Sequence, residues 1–299
     1  MKFGTMAVLG CSNVGKSTLV NTLVNQKIAI VSDKPQTTRS RILGVAHFPQ
    51  GQLALLDTPG LHRPWHRLNK LMVRTALDAM HDADVLAVMV DGRDLPGPVD
   101  RFVVEQIFSR HGQSSALPVF LLVNKIDLIR KRHVLPVIEA YRRLGEWTEI
   151  VPISAKTGLN VDLLASLVFD RVVDRDDAFD EDFVTDQSWR HLAAETIREK
   201  VIEATKAELP YAVAVKVDEF LEEGRVITIA ATIVVEKPGQ KAIVIGKSGE
   251  RLKAIGTAAR LELAKALANK VFLKLHVKVK SAWRDDDRWL VELGYATQP

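Results

Sequence analysis

The sequence predicts an α/β protein in two parts. A doubly wound, mostly parallel sheet is expected over residues 1–170, an acidic linker over 171–187, and a smaller α+β domain over 188–299. Three observations predict this. Up to about Phe169, short apolar runs alternate with amphipathic stretches, the pattern of a sheet covered by helices on both faces. Between Asp170 and Asp186 eight acidic residues face only Arg171 and Arg175, which marks a solvated boundary. Beyond Gln187 the order of elements becomes α-β-β-α-α-β.

The elements follow in chain order. Thr5-Met-Ala-Val-Leu9 is a short apolar strand, and residues 16–25 carry apolar side chains at helical spacing. Further strands are expected at 41–48, 52–57, 84–91, 118–123 and 148–153, with helices at 67–81, 98–111, 133–144 and 160–171. Val85-Leu-Ala-Val-Met-Val90 and Val119-Phe-Leu-Leu-Val123 are near-continuous apolar runs, as central strands require. In the second part, residues 188–207 read as an amphipathic helix, and Pro210 opens a strand over 211–217. A turn at 222–225 leads into a strand at 227–235. The apolar segment 242–245 meets a Gly-containing loop, a long helix follows at 250–268, and 271–279 alternates as a half-buried strand. A short helix is expected near 285–293.

Composition narrows the function classes. The 299 residues carry 41 Lys+Arg against 37 Asp+Glu, a net charge of +4. The window 240–284 holds eleven basic residues against Glu250 and Glu262, a local charge of +9 that suits a polyanion. No apolar run reaches the roughly 18–20 residues of a membrane span, and no leader is expected ahead of the first strand. The single cysteine, Cys11, excludes a disulfide framework, suits a reducing cytosol, and reads as a small tolerated residue.

Gly10-Cys-Ser-Asn-Val-Gly-Lys-Ser17 has the form G-x-x-x-x-G-K-[ST] and stands between a strand and a helix, where a phosphate-binding loop must stand. Backbone N–H groups of Gly10, Asn13, Val14, Gly15, Lys16, Ser17 and Thr18 can cradle phosphates, aided by the helix N-terminus. Lys16 would reach the β- and γ-phosphates, and the Ser17 hydroxyl would ligate Mg²⁺. Asp57-Thr-Pro-Gly60 ends the strand 52–57; Asp57 can hold Mg²⁺ through a water, and the Gly60 N–H can meet the γ-phosphate. Asn124-Lys-Ile-Asp127 follows a later strand. The Asp127 carboxylate matches the paired N1–H and 2-amino donors of guanine, Lys125 can lie over the base, and Asn124 can tie this loop to the phosphate loop. In Ser154-Ala155-Lys156 the Ala155 N–H could donate to guanine O6. The polar loop before strand 41–48 offers Thr38 first, and Thr37 second, as a Mg²⁺ ligand present only with the γ-phosphate. Lys16, Thr38 and Gly60 are thus the catalytic candidates of a P-loop GTPase domain. The residue after D-x-x-G is Leu61, which cannot hold a water. Another group must hold it, or intrinsic turnover is slow and a partner accelerates it; His62, Arg63 and His66 stand nearby, and no base is assigned.

Ile245-Gly246-Lys247-Ser248-Gly249 gives G-x-x-G ahead of a long helix that carries Lys253 and Gly256. With the α-β-β-α-α-β order and the basic window, this is the signature of a type II KH domain, whose loop clamps a single-stranded backbone. Trp283 and Trp289 are expected to pack rather than stack on bases. Two other classes remain open: an ATPase or nucleotide kinase on the same loop, and a GTPase whose second domain binds protein or lipid.

One G domain followed by one such KH domain resembles the Era family of bacterial ribosome-assembly GTPases. The matching stretches are 13–18, 35–39, 57–62, 124–127, 154–156, 208–211, 244–249 and 277–281. The resemblance implies GTP/GDP and Mg²⁺ as ligands, slow GTP hydrolysis, and binding to the 3′ end of 16S rRNA in small-subunit assembly. It also implies peripheral association with the anionic inner membrane; a cytoplasmic monomer is expected. The family commonly has Arg-Pro where this chain has Cys11-Ser12.

Overall fold

The computed structural model describes residues 1–34, 36–111, 117–175, 179–205, 209 and 211–296. The chain divides into two compact units: residues 1–29, 38–64 and 72–186, and residues 30–37, 65–71 and 187–299.

In the first unit β1 (Lys2–Gly10), β2 (Ile42–Phe48), β3 (Gly51–Asp57), β4 (Val85–Asp91), β5 (Val119–Asn124) and β6 (Glu149–Pro152) form one sheet in the order β2-β3-β1-β4-β5-β6. Only β2 runs antiparallel, as a hairpin with β3. Alternate residues of the central strands face two cores. Met6 and Val8 pack with Leu19 and Val20 of α1 (Lys16–Val24) and Leu164 and Val168 of α5 (Val161–Phe169). Ala7 and Leu9 pack with Ala76 and Leu77 of α2 (Arg67–Asp78) and Val103 and Ile107 of α3 (Pro98–His111). Val137 and Tyr141 of α4 (Lys131–Arg142) cover β5. This arrangement brings the loops after β1, β3, β5 and β6 to the carboxyl edge of the sheet, where doubly wound folds bind ligands.

Strand β1 begins at Lys2 rather than Thr5, because Lys2 and Phe3 continue the ladder onto Gly51 and Gln52. The acidic stretch departs from a free solvated linker. Its described charges are mostly exposed, but Phe179 and Phe183 are half-buried rather than solvated spacers. Phe179 stacks on Phe183 at 4.7 Å and tilts against Phe3 at 5.9 Å, while its N–H donates to Gln52 Oε1 at 2.8 Å. Val45 N–H donates to the Val184 carbonyl at 2.9 Å, so residues 179–185 are strapped along the β2–β3 side of the first unit. Residues 176–178 lie outside the described residues.

In the second unit α6 (Trp189–Ala204) starts at Ser188, whose hydroxyl accepts from His191 N–H. β7 (Ala214–Glu223) and β8 (Val226–Val235) form a hairpin through Gly224, at φ 60°, and β9 (Lys270–Val279) adds in parallel on the other side of β8. α6, α7 (Pro238–Ile245) and α8 (Glu250–Ala266) bury Ile197, Val201, Val244, Ile255 and Ala259 against the sheet. Lys200 joins α6 to α8 through Glu262 at 2.8 Å. β7 starts three residues later than predicted and runs on to Glu223: Ala212 and Val213 turn back onto the Leu209 carbonyl, and pairing then continues past an irregularity at Val217/Glu219 to the hairpin. The predicted start at Pro210 and the predicted helix end at 206–207 lie outside the described residues. Trp283 is wholly buried with its Nε1 donating to the Ala212 carbonyl at 3.0 Å. Trp289, in α9 (Asp287–Glu292), sits half-buried with Lys278 Nζ 5.1 Å above its ring, a cation–π contact.

Candidate functional sites

The loop after β1 holds a backbone that few residue types tolerate. Gly10 has φ 143°, Asn13 φ 64° and Gly15 φ 110°. A Cβ at Gly10 would come within 2.2 Å of the Met89 carbonyl oxygen, and one at Gly15 within 2.3 Å of Asn124 Nδ2. Gly60 is equally tight, since a Cβ there would meet Ser12 Oγ at 2.4 Å. Lys16 is buried at the start of α1, and its Nζ donates to the carbonyls of Gly10 and Cys11 at 3.2 and 2.8 Å. Burial pulls the Lys16 ammonium down to about 8, partly offset by Asp57 and Cys11. Cys11 donates to Asp100 Oδ1 at 3.4 Å, and burial followed by Asp100 pushes its thiol up to about 12, away from the thiolate form.

The three residues expected at a metal converge on each other. Ser17 Oγ donates to Asp57 Oδ2 at 2.6 Å and lies 2.8 Å from Thr38 Oγ1, which is itself 3.5 Å from Asp57 Oδ2. The other Asp57 oxygen, Oδ1, is buried without a hydrogen-bond partner. Burial raises the Asp57 carboxyl to about 6 against the opposing pull of Ser17, Lys16 and Thr38. One buried carboxylate with an unsatisfied oxygen, beside two hydroxyls, fits Mg²⁺, which takes few protein ligands and completes its shell with waters and phosphate oxygens. The described residues contain no cluster of three His, Cys, Asp or Glu side chains that could hold a metal alone. Between the two threonines, geometry favours Thr38: Thr37 Oγ1 donates to the Lys34 carbonyl at 2.7 Å within its own turn.

The base-side loops are tied to the phosphate loop. Asn124 Nδ2 donates to the Val14 carbonyl at 2.7 Å, and Lys125 Nζ donates to the Asn13 carbonyl at 2.6 Å. Asp127 lies exposed in the one-turn 3-10 helix Ile126–Leu128. Ser154 Oγ accepts from Thr157 N–H at 3.2 Å, and Lys156 is exposed beside it. Thr22 of α1 donates to the Ala155 carbonyl at 2.7 Å. The Ala155 N–H, expected at guanine O6, donates to Asn124 Oδ1 at 2.9 Å, so the Asn124 amide bridges both loops. Leu61 is buried, its N–H donates to the Gly10 carbonyl at 3.0 Å, and His62 Nδ1 lies 2.7 Å from the Gly60 carbonyl. Sequence reasoning missed Asp91, which ion-pairs Lys125 at 2.8 Å; its place directly after an apolar strand was the available signal.

In the second unit the loop after α7 uses left-handed backbone at Gly246 (φ 74°), Ser248 (φ 51°) and Gly249 (φ 82°). Lys247 and Ser248 are exposed at its tip. A Cβ at Gly246 would come within 2.7 Å of Arg251 Cβ, whereas Gly249 faces open space. Beside the loop an open groove of about 400 Å³ is lined by Gly249, Leu252, Lys253, Gly256, Thr257 and Arg260 of the loop and α8, and by Leu273 and Leu275 of β9. Of the residues expected at RNA, Gly249 and Lys253 line this groove; Ile245 packs instead against the apolar core of the unit. Leu252, Thr257, Arg260, Leu273 and Leu275 were not foreseen, because only folding sets α8 beside β9.

Residues 5–125 match a family described as 50S ribosome-binding GTPase, and residues 208–284 match the KH domain family. GTPase Era of Geobacter metallireducens is 46% identical over 294 residues, covering 98% of this chain and 97% of the relative. GTPase Era of Pseudomonas aeruginosa is 45% identical, covering 98% and 94%. A crystal structure of Era in complex with MgGDPNP and nucleotides 1506–1542 of 16S ribosomal RNA superposes with a TM-score of 0.93 at 39% identity, covering 99% of both chains. A variant Era of Aquifex aeolicus bound to GDP·AlF4⁻ superposes with a TM-score of 0.92 at 39% identity, covering 99% of this chain and 100% of that one.

Proposed function

The chain belongs to the Era family of GTPases, and from that membership we propose a GTP-hydrolysing switch that binds single-stranded rRNA at the 3′ end of 16S rRNA during small-subunit assembly. The observation that supports the nucleotide reading is the bridge from Asn124 and Lys125 to the carbonyls of Val14 and Asn13, which ties the loop that carries Asp127 to the phosphate loop. In this reading residues Gly10 and Asn13 to Thr18 hold the phosphates, and Lys16 leaves the Gly10 and Cys11 carbonyls for the β- and γ-oxygens. Asp127 reads guanine, Lys125 covers the base, and Ser154, Ala155 and Lys156 shape its edge, with Ala155 acting through Asn124. Ser17, Thr38 and Asp57 hold Mg²⁺, which when bound neutralises charge on the transferred phosphoryl group. Gly60 N–H meets the γ-phosphate, and with Leu61 in place of a water-positioning Gln, slow intrinsic turnover belongs to the reading.

The +9 window, the G-x-x-G loop and the groove beside it support an RNA grip at Gly246, Lys247, Ser248, Gly249 and Lys253, with Ile245 as the core residue anchoring the loop. No described helix is long and apolar enough to cross a membrane; a monomer in the cytoplasm, held peripherally at the anionic inner membrane by its basic surface, completes the reading. The test is nucleotide choice. GTP should bind on the order of 10⁴-fold more tightly than ATP, as a site built around specific hydrogen bonds does, and Asp127→Asn should erase most of that preference. Equal affinity for the two triphosphates, or intact GTP binding in the variant, refutes it.

A further inference from the structure

Asp91 closes β4 in register with Asn124 at the end of β5, so pairing of the two strands sets its carboxylate beside the base-side loop. Its Oδ2 accepts from Lys125 Nζ at 2.8 Å, while the same ammonium donates to the Asn13 carbonyl at 2.6 Å. Asp91 is in turn held by Arg93, whose Nε and Nη2 reach its two oxygens at 2.9 and 2.7 Å, and whose backbone N–H reaches Oδ1 at 3.1 Å. Gly92, between them, donates to the Asn124 carbonyl at 2.7 Å. The result is a chain of contacts, Arg93 to Asp91 to Lys125 to Asn13, running from an exposed arginine to the phosphate loop.

We infer that Asp91 is a positioning residue for guanine nucleotide: it fixes the Lys125 side chain in the one orientation that both covers the base and pins the phosphate loop. The inference rests on the assignment of Lys125 to the base. A lysine is a flexible, strongly hydrated point charge. A single carbonyl does not neutralise it, so without the carboxylate the ammonium is better served by water and the stem leaves the base. Lys125 has left-handed backbone, at φ 65°, so its side chain starts from a rarely used direction and depends on an anchor. Burial raises the Asp91 carboxyl, but the bonds from Arg93 and Lys125 outweigh it and hold it at about 2, so the anchor stays charged across the working pH range.

The experiment is release of a fluorescent GDP analogue from the full chain, with displacement by GDP and IDP. Asp91→Asn is expected to speed release on the order of tenfold and to leave the GDP-to-IDP preference unchanged, since the 2-amino group is read by Asp127. In a Lys125→Met background the same change is expected to add nothing, because Asp91 acts only through Lys125. Asp91→Glu should restore part of the affinity. Arg93→Gln, at an exposed side chain, serves if Asp91→Asn does not fold, and should speed release in the same direction by less. Release within twofold of the parent, or additive effects in the double variant, overturns the inference. If Lys125→Met itself releases GDP at the parental rate, the assignment of Lys125 to the base fails, and the inference with it.

Discussion

Lys16 and Asp57 are both buried, and each is held away from its ordinary titration range by that burial. The signs differ. Lys16 titrates near 8 in the folded, ligand-free chain and near 10.5 unfolded. Below pH 8 it is charged in both states, so the net cost of holding the charge in the folded chain, on the order of 3 kcal/mol, is carried in full; the cost fades as pH rises from 8 to 10.5. The ligand-free protein should therefore gain stability over that window relative to Lys16→Met, read as the difference in Tm between the two. GTP, whose phosphates need the charged ammonium, should bind more weakly over the same window. Asp57 predicts the mirror case. Mg²⁺ needs its carboxylate, so Mg²⁺-dependent GTP affinity should fall as pH drops through about 6, where an ordinary aspartate would hold until about 4. An isothermal titration series from pH 5 to 9.5 checks both limbs. The types of these residues and their spacing were legible in the sequence. Their burial was not, nor was the choice of Thr38 over Thr37, since both threonines sit in one polar loop and only contact with Ser17 and Asp57 separates them.

Among elements, α8 and β9 carry the most testable geometry. Both were foreseen as elements, yet neither pattern could say that they flank a groove, because that follows from β9 joining β8 in parallel and α8 returning across the sheet. Gly256 lies inside α8, where glycine costs roughly 0.5–1 kcal/mol relative to alanine. A Cβ there would stand 3.4 Å from Leu275 Cδ1, an ordinary contact. Gly256→Ala should therefore raise the Tm while narrowing the groove and weakening single-stranded RNA binding. A more stable variant with undiminished RNA affinity would move the RNA site away from this groove. The strap at 179–185 shows the opposite limit of sequence reading. Acidic composition argued for a solvated connector, but Phe179 and Phe183 among the acids decided where those residues lie, and a charge count does not weigh two aromatic rings.

At the scale of the whole molecule, one of the points where the chain passes from one unit to the other falls between Thr37 and Thr38, next in sequence to the residue proposed to sense the γ-phosphate. A switch of this kind must obey linkage. If GTP raises RNA affinity by some factor relative to GDP, RNA must raise the affinity for GTP over GDP by the same factor, commonly about 5–150-fold. Lys247→Asp with Ser248→Asp places two carboxylates at the exposed tip of the G-x-x-G loop, remote in sequence from every nucleotide motif. Like charge against the RNA backbone should abolish single-stranded RNA binding and leave intrinsic GTP hydrolysis unchanged. The same variant should lose the RNA-dependent slowing of GTP-analogue release, because both halves of the coupling run through one contact. Equilibrium RNA titrations in the GTP-analogue and GDP states give one factor, and titrations of the two nucleotides with and without RNA give the other, while crosslinking maps the contact. Equal RNA affinity in the two nucleotide states would leave a GTPase and an RNA-binding domain on one chain without a switch between them.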